Sequence, residues 1–127
     1  MSKTIISTEN APAAIGPYSQ AVRQGNTIYV SGQLPLDPAT KEMVEDVSEQ
    51  ASQSMKNIQA ILASCGCTME NIVRCGIFVT DLGDFAAIND AYAAFFTGDF
   101  PARATVQVAA LPLGAKVEID AIAVVEE

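Results

Sequence analysis

Apolar and polar residues alternate in several short stretches of this chain, a pattern typical of strands whose two faces have different surroundings. The clearest stretches run from Ser19 to Arg23 and from Thr27 to Ser31. Gly25-Asn26 lies between them and favours a tight hairpin turn. Four further strands are predicted at Lys3 to Thr8, Ile72 to Thr80, Arg103 to Ala109 and Lys116 to Val125.

A helical periodicity follows the first three strands. Its apolar positions form one stripe, at Val47, Ala51, Met55, Ile58 and Leu62. Its polar positions are expected on the opposite, solvent-facing side, at Gln50, Gln53 and Lys56. Asp46 and Glu49 resemble a capping box at the start of this helix, and Gly66 is a natural stop at its end.

A second helix is predicted between the fourth and fifth strands. Asp84 is a good candidate for its N-cap, and Gly98 for its end. The polar residue Asn89 is expected to face either water or a site, with water favoured. The apolar stripe of this helix comprises Phe85, Ile88, Tyr92 and Phe95.

The order of these elements predicts an α+β domain in which two helices cover one face of a mixed sheet. A chain of 127 residues fits a single domain, residues 1–127. Two helices leave the other face of such a sheet uncovered. The last strand is apolar toward both faces, with Ala121 and Ala123 on one side and Ile122 and Val124 on the other. We therefore predict that the uncovered face is buried in an oligomer.

The net charge of the chain is −8, and its isoelectric point is about 4.3. An acidic surface repels phosphate backbones and anionic lipids, so we expect no nucleic-acid partner and no membrane partner. The apolar stretch at the N-terminus is too short for a signal peptide, and no run reaches transmembrane length. A cytoplasmic protein is the resulting expectation.

The absence of histidine limits the chemistry that this chain can perform. Without histidine there is no Ser-His-Asp triad and no Cys-His dyad. Cys65, Cys67 and Cys75 are a poor zinc ligand set on their own, so we expect free thiols in small buried or half-buried positions. No metal site is therefore expected, and no glycine-rich phosphate loop is present.

Polar residues inside the last two strands are the main candidates for a site. Arg103, Thr105 and Gln107 share one face of their strand, because side chains alternate along a strand. Glu118 and Asp120 share a face of the next strand. If the two strands paired as a hairpin, the arginine and the acids would meet. An arginine held by an acid matches a substrate carboxylate, but a plain cross-strand ion pair is an open alternative.

Two loops add further candidates. In the loop from Ile15 to Gln20, Pro17 restricts the backbone and Tyr18 offers both a ring and a hydroxyl. A turn with a packed tyrosine explains the same residues. At Ser31-Gly32-Gln33, the glycine either allows a ligand to approach the backbone closely or simply ends the strand.

These segments resemble the Rid family of enamine/imine deaminases, also called the RidA or YjgF family, along almost the whole chain. The resemblance implies a chorismate-mutase-like α+β fold assembled as a homotrimer, with the helices outside, the sheets packed together in the centre and ligand clefts between subunits. The matching stretches, in the family's order, are Ala14-Ile15-Gly16-Pro17-Tyr18-Ser19-Gln20-Ala21, Val30-Ser31-Gly32-Gln33-Leu34-Pro35, Phe100-Pro101-Ala102-Arg103 and Val117-Glu118-Ile119-Asp120-Ala121-Ile122-Ala123.

The resemblance also implies an activity, the hydrolysis of 2-iminobutanoate, 2-iminopropanoate and similar small 2-imino acids to 2-keto acids and ammonia. Pyridoxal-phosphate enzymes release these reactive enamines and imines. Water addition to an imine needs a bound carboxylate, an oriented water and assisted proton transfer, so the reaction requires neither a cofactor nor a metal. The implied protein is therefore a cofactor-independent hydrolase.

Residue by residue, the resemblance implies that Arg103 binds the substrate carboxylate bidentately. Glu118 would orient the arginine or position the attacking water, and Tyr18 would line the cleft beside the substrate. The backbone at Gly32 would contact the substrate nitrogen or the water. The remaining substrate-binding candidates are Ser31, Asn89 and Thr105.

Two positions depart from the family's pattern, and both bear on the shape and polarity of the cleft. Thr105 stands where many relatives have cysteine, so a thiol is not required there. The connection Thr97-Gly98-Asp99-Phe100 is shorter than in many relatives.

A non-catalytic module that binds small carboxylates is the alternative function. RNA cleavage by a translation inhibitor is a third, which the acidic charge disfavours.

Overall fold

A computed structural model of the protein describes residues 2–126. Two helices, α1 (Val47–Ser64) and α2 (Phe85–Ala93), accompany a single sheet. The six strands of that sheet are β1 Thr4–Ile6, β2 Ala21–Gln24, β3 Thr27–Gln33, β4 Ile72–Val79, β5 Ala102–Gln107 and β6 Val117–Val124. Their order across the sheet is β1-β2-β3-β6-β4-β5, and each neighbouring pair is antiparallel except β4 with β5.

The predicted fold class, an α+β domain with two helices on a mixed sheet, is confirmed. Helix α1 packs on β3 and β6, and α2 packs on α1. No helix among residues 2–126 is long and apolar enough to span a membrane. The core lies between the helices and the sheet, and its fully buried side chains include Met55, Ile58, Leu62, Ile77 and Ile119.

Helix α1 begins where the sequence predicts, because the Asp46 side chain accepts a hydrogen bond from the Glu49 amide at 3.0 Å. The prediction for Gln50 is wrong, since this side chain is buried rather than solvent-facing. Its amide group donates to the Val44 carbonyl at 2.8 Å and accepts from the Lys116 amide at 2.9 Å. Both of its polar ends are thus satisfied, and they tie the start of α1 to the segment before β6.

A short 3-10 turn precedes helix α2, so the start of this helix differs from the prediction. Asp84 occupies the predicted N-cap position, but its side chain makes no capping hydrogen bond. The Asp81 side chain instead accepts from the Gly83 amide at 2.8 Å and begins a short 3-10 turn that leads into the helix. The helix ends at Ala93, before the predicted glycine stop, and its buried residues are Ile88 and Tyr92.

The last two strands do not form a hairpin, so the supposed pairing of β5 with β6 is wrong. Strand β4 lies between them, and Cys75 is in register with Arg103 on one side and with Ala121 on the other. The connection through α2 makes β5 parallel to β4, and segment 108–116 then crosses to the far side of β4. Strands β5 and β6 are therefore consecutive in the chain but are not neighbours in the sheet.

Alternation along β6 separates the two faces of the sheet. Every second position from Val117 to Ala123 is buried, on the side that the helices cover. Glu118, Asp120 and Ile122 therefore point to the other face. The apolar side chains exposed on that face include Tyr29, Val106 and Val124. Burial of this face by another subunit stays a prediction.

Candidate functional site

Four of the candidate residues line one open cleft of about 450 Å³. Tyr18 comes from the loop before β2, Ser31 and Gly32 from the end of β3, and Glu118 from β6. A larger, mostly apolar cavity of about 850 Å³ shares Tyr18 and part of the preceding loop with this cleft, but it does not include Glu118. The smaller cleft is the better candidate site, because it joins a carboxyl group from the sheet to the predicted backbone contact at Gly32 and to Ser31.

The cleft exists because the end of β3 is irregular. The pairing of β3 with β6 shifts register between Val30 and Gln33, so Ser31 and Gly32 form a bulge. A Cβ atom at Gly32 would lie 2.9 Å from Cδ of Glu118 and would collide with its carboxylate oxygen. The glycine therefore makes room for the Glu118 carboxyl group itself, beside the half-buried backbone of the bulge.

Hydrogen bonds beneath the loop hold Tyr18 in place. Gln20 is buried, and its side chain donates to the Pro12 carbonyl at 2.8 Å. The Ser31 hydroxyl donates to the Ser19 carbonyl at 2.6 Å. Tyr18 itself is 50 % exposed on the wall of the cleft. Ser31 thus braces the loop, and the Tyr18 ring is available to a ligand.

Glu118 is half buried, and two causes raise the pKa of its carboxyl group. The larger cause is the loss of water around its charged form, and the smaller is the negative charge of Asp120 on the same face of β6. Asp120 is held by the Gly76 amide, which donates to it at 2.8 Å. A raised pKa brings the carboxyl group closer to neutral pH, where it exchanges protons more effectively as an acid or base.

Arg103 lies in a second cluster, between β5 and α2. Its Nη1 donates to Oδ1 of Asn89 at 2.6 Å. Its guanidinium carbon lies 5.5 Å from the ring centre of Phe85 and 5.3 Å from that of Tyr92, both within the range of cation–π attraction. The expectation that Asn89 faces water is therefore wrong. Strand β5 brings a strong donor to this side of the helix, and Asn89 accepts from it.

Thr105 follows Arg103 on the same face of β5. Its hydroxyl is buried and makes no hydrogen bond with any of residues 2–126. Gln107, next on that face, accepts from the Leu82 amide at 2.9 Å and so supports the turn before α2. Thr105 therefore adds an unpartnered hydroxyl to the Arg103 cluster, whereas Gln107 has a structural contact.

The two clusters lie on opposite faces of the sheet. Arg103 contacts α2, whereas Glu118 alternates with residues buried under the helices and so points away from them. Strand β4 separates Arg103 from Glu118. Arg103 is in register with Cys75 of β4, and Glu118 is in register with Phe78 of the same strand. The expectation that Glu118 orients Arg103 therefore fails within one chain.

Phe85 and Tyr92 are functional candidates that the sequence patterns assign only to the core. Tyr92 is buried, but Phe85 is 39 % exposed and lies against the Arg103 guanidinium. With Asn89 they occupy positions i, i+4 and i+7 of α2, which share one helix face. The sequence offers no signal for this role, because an apolar stripe on a helix has the same spacing whether it faces a core or a cation.

The thiols of this chain are poorly suited to nucleophilic chemistry. Cys67 and Cys75 are buried and Cys65 is half buried, as predicted. Burial raises the pKa of Cys75 to about 11 and also raises the pKa of Cys65, so both thiols stay protonated at neutral pH. Within residues 2–126 there is no group of three or more His, Cys, Asp or Glu side chains that would hold a metal ion.

Comparison with known proteins adds a family match to this geometry. A family model described as endoribonuclease L-PSP matches residues 8–125. Protein DfrA of Myxococcus xanthus is 58 % identical over 127 residues, which cover 98 % of this chain and 97 % of that protein. A 2-iminobutanoate/2-iminopropanoate deaminase of Escherichia coli (strain K12) is 54 % identical over 127 residues, 98 % of each chain. The crystal structure of the E. coli YjgF gene product superposes with a TM-score of 0.94 and 52 % identity, over 97 % of this chain and 99 % of that one.

Proposed function

We propose that this chain, which belongs to the Rid (YjgF) family, is a 2-iminobutanoate/2-iminopropanoate deaminase that hydrolyses small 2-imino acids to 2-keto acids and ammonia. The observation that carries the activity is the half-buried Glu118 carboxyl group, whose pKa is raised and which projects into a cleft beside Gly32. Such a group is suited to moving a proton between water and a substrate nitrogen. The extensive identity with a deaminase supports the same conclusion.

We place the complete site between two subunits of a homotrimer. Within one chain, a small imino acid does not reach both Arg103 and Glu118, because these groups face opposite sides of the sheet. The exposed apolar side chains of the uncovered face offer a surface against which a second subunit packs. Arg103 of one subunit would then complete the cleft of its neighbour.

Each candidate residue has a role in this proposed site. Arg103 binds the substrate carboxylate, because its planar fork matches two carboxylate oxygens. Glu118 positions the attacking water and transfers its proton. The ring of Tyr18 lines the cleft, and the backbone of the bulge at Ser31-Gly32 contacts the substrate nitrogen or the water. Asn89 and Thr105 shape the wall around Arg103 rather than acting on the reacting atoms.

The proposed reaction consists of one addition and one elimination. The oxygen of water bonds to the imine carbon, and the π electrons of the carbon–nitrogen bond move to nitrogen. Glu118 accepts the water proton and delivers it to that nitrogen. Glu118 then removes the remaining proton from the added hydroxyl group and passes it to the same nitrogen, so the carbon–nitrogen bond breaks as the added oxygen becomes the keto oxygen. Ammonia and the 2-keto acid are released, with no net change in oxidation state.

The proposal extends to the setting in which this enzyme acts. Residues 1–127 form a single Rid-family domain, and its partners are a small 2-imino acid and two further copies of the chain. The charge of −8 disfavours nucleic acid as a partner, despite the name of the family model. We expect the cytoplasm as its location, because pyridoxal-phosphate enzymes release imino acids there.

The decisive experiment couples a threonine or serine dehydratase to detection of 2-keto acids, with and without this protein. We expect faster keto-acid release, and loss of that acceleration in Arg103→Ala. Arg103→Lys keeps the charge but not the fork, so it should recover only part of the activity. Arg23→Ala is the matched control, since the Arg23 side chain donates to the Gly25 carbonyl at the β2–β3 turn, away from the cleft, and it should behave as wild type.

Two outcomes would redirect the proposal. If the wild-type protein gave no acceleration but bound 2-oxobutanoate through Arg103, a non-catalytic carboxylate-binding module would replace the enzyme. If Arg103→Ala remained fully active, the location of the site would be wrong. Sedimentation of wild type and Arg103→Ala should show the same trimer, because Arg103 is assigned to the substrate and not to assembly.

A further inference from the structure

Uncharged groups surround Arg103 in the part of the chain that the structure describes. Residues 2–126 hold its guanidinium by one hydrogen bond, from Nη1 to the Asn89 amide oxygen, and by the rings of Phe85 and Tyr92. None of these three residues is an acid. All three lie on one face of α2, so a single rigid element supplies the whole arrangement.

Uncharged contacts have a consequence that an acidic partner would not share. A carboxylate beside the guanidinium would hold it firmly but would also repel the carboxylate of an incoming substrate. The face of a ring and an amide oxygen orient the guanidinium through partial charges alone. The full positive charge of Arg103 therefore stays available to a ligand.

We propose that Phe85, Asn89 and Tyr92 are positioning residues that form an uncharged clamp on Arg103 and thereby set the affinity of the site for the substrate carboxylate. The proposal rests on the deaminase function stated above and adds to it the residues that prepare the arginine. Here "the α2 clamp" means these three side chains.

The two rings of the α2 clamp differ in rigidity. Tyr92 is only 3 % exposed, and its ring centre lies 5.0 Å from that of Phe96. Its buried hydroxyl lies beside the Cys75 thiol but makes no well-aligned hydrogen bond within residues 2–126, so the ring, and not the hydroxyl, serves the clamp. Phe85 is 39 % exposed and forms the outer wall. Loss of the Tyr92 ring should therefore disturb Arg103 more than loss of the Phe85 ring.

Asn89 engages one of the five N–H donors of the Arg103 guanidinium. It accepts from Nη1, which leaves Nε and Nη2 as a pair of neighbouring donors. That edge matches the two oxygens of one carboxylate through parallel hydrogen bonds. The α2 clamp therefore selects ligands with a free carboxylate and discriminates against their amides and esters, which lack the charge and one of the equivalent oxygens.

The first test uses Asn89→Asp and Asn89→Ala. Aspartate has the shape of asparagine and would bind Arg103 at least as tightly, but it brings a negative charge. We expect Asn89→Asp to raise KM about fivefold to tenfold with a smaller change in kcat, and Asn89→Ala to raise KM less. A purely structural role predicts the opposite order, with Asn89→Asp close to wild type and Asn89→Ala impaired.

The second test separates the ring of Tyr92 from its bulk. Tyr92→Phe keeps the ring and should retain wild-type KM, whereas Tyr92→Leu keeps an apolar side chain and should raise KM about fivefold. Phe95→Leu, an aromatic residue just beyond α2 that does not contact Arg103, is the control. Thermal unfolding of each variant checks that a change in KM does not reflect a loss of fold.

The same variants are titrated with 2-oxobutanoate by calorimetry, which tests the clamp independently of turnover. If the wild type shows no deaminase activity, the proposed function fails, but the order of affinities among the variants still decides the clamp. Equal affinity of Asn89→Asp and wild type for 2-oxobutanoate, or wild-type KM in Tyr92→Leu, would overturn it. Equal binding of 2-oxobutanoate and its amide would overturn the selection for a free carboxylate.

Discussion

The cleft around Glu118 and the cluster around Arg103 are built in opposite ways. The cleft depends on irregular backbone, the bulge at Ser31-Gly32, and it gathers two acids on one face of β6. The Arg103 cluster depends on regular structure, a straight strand and one face of α2, and it surrounds a cation with uncharged groups. Two like charges lie together in the first region, whereas the hydrogen bond and the ring contacts of Arg103 within residues 2–126 are with uncharged groups.

This difference keeps the opposite charges of Arg103 and Glu118 apart within one chain. If Glu118 lay beside Arg103 in the folded chain, the positive charge would lower the pKa of the carboxyl group, and the arginine would lose its attraction for a substrate carboxylate. Opposite faces of the sheet prevent this contact within one chain, whereas in the proposed trimer the substrate would lie between Glu118 and the Arg103 of a neighbouring subunit. Burial and Asp120 instead raise the pKa of Glu118, while Arg103 keeps its charge for a ligand.

The largest effect should come from removing the carboxylate of the cleft. We expect Glu118→Gln to lower kcat about a hundredfold to ten-thousandfold, because an amide of the same shape does not accept the water proton. The coupled keto-acid assay measures this loss. A Glu118→Gln protein that kept most of its kcat would assign the cleft to binding alone and leave catalysis to the Arg103 half.

The next effect concerns the bulge that admits this carboxylate. Gly32→Ala places a methyl group against the Glu118 carboxyl group, so the carboxyl group must move. We expect kcat to fall about tenfold to a hundredfold with the fold intact, since small displacements of a catalytic group are costly. Gly98→Ala is the matched control, because its added methyl group would meet only the Glu70 side chain at 3.6 Å. If Gly32→Ala and wild type had the same kcat, the position of the Glu118 carboxyl group would not matter for catalysis.

A smaller effect should appear in the pH dependence of the cleft. The charge of Asp120 raises the pKa of Glu118, so Asp120→Asn should lower that pKa while burial still holds it above its ordinary value. The ionised form of Glu118 would then persist to lower pH, and the acid limb of the kcat/KM profile should shift toward lower pH. An unchanged acid limb would show that another group controls it. The contacts of the Arg103 cluster should not respond to Asp120→Asn, because Asp120 lies on the other face of the sheet.

The smallest effect should be a change in the free energy of unfolding when Thr105, in the Arg103 cluster, is replaced. Thr105→Val replaces a buried hydroxyl that has no partner in residues 2–126 with a methyl group of similar shape. We expect the free energy of unfolding to rise by about 1 kcal/mol, since an unsatisfied buried polar group is destabilising. Denaturant titration measures this change. A loss of stability would instead reveal a hydrogen-bond partner supplied by a neighbouring subunit.

Several features of this protein follow from local sequence because the interactions that produce them are local. Gly25-Asn26 forms the predicted tight turn, with Gly25 at a φ of 60° and Gln24 paired to Thr27. Asp46 caps α1 through a residue only three positions away. The alternation that puts Glu118 and Asp120 on one face of β6 is likewise visible in the sequence, because successive side chains of a strand point to opposite sides.

The candidate site was predictable only in part. The resemblance named Tyr18, Ser31, Gly32 and Glu118, and the structure brings all four to one cleft. It also named Arg103 and Asn89, which are hydrogen-bonded to each other in a separate cluster. The sequence pattern does not identify Phe85 and Tyr92 as site residues, because an apolar stripe on a helix has the same periodicity whether it faces a core or a cation.

The sequence by itself determined the elements of this protein and the face on which each side chain of a strand lies. The tertiary structure alone decided that β4 separates β5 from β6, that Arg103 meets α2 rather than Glu118, and that Gln50 is buried. Periodicity reports the direction of a side chain relative to its own strand or helix. The choice of neighbouring element depends on crossovers and on packing between distant segments, which no local pattern encodes.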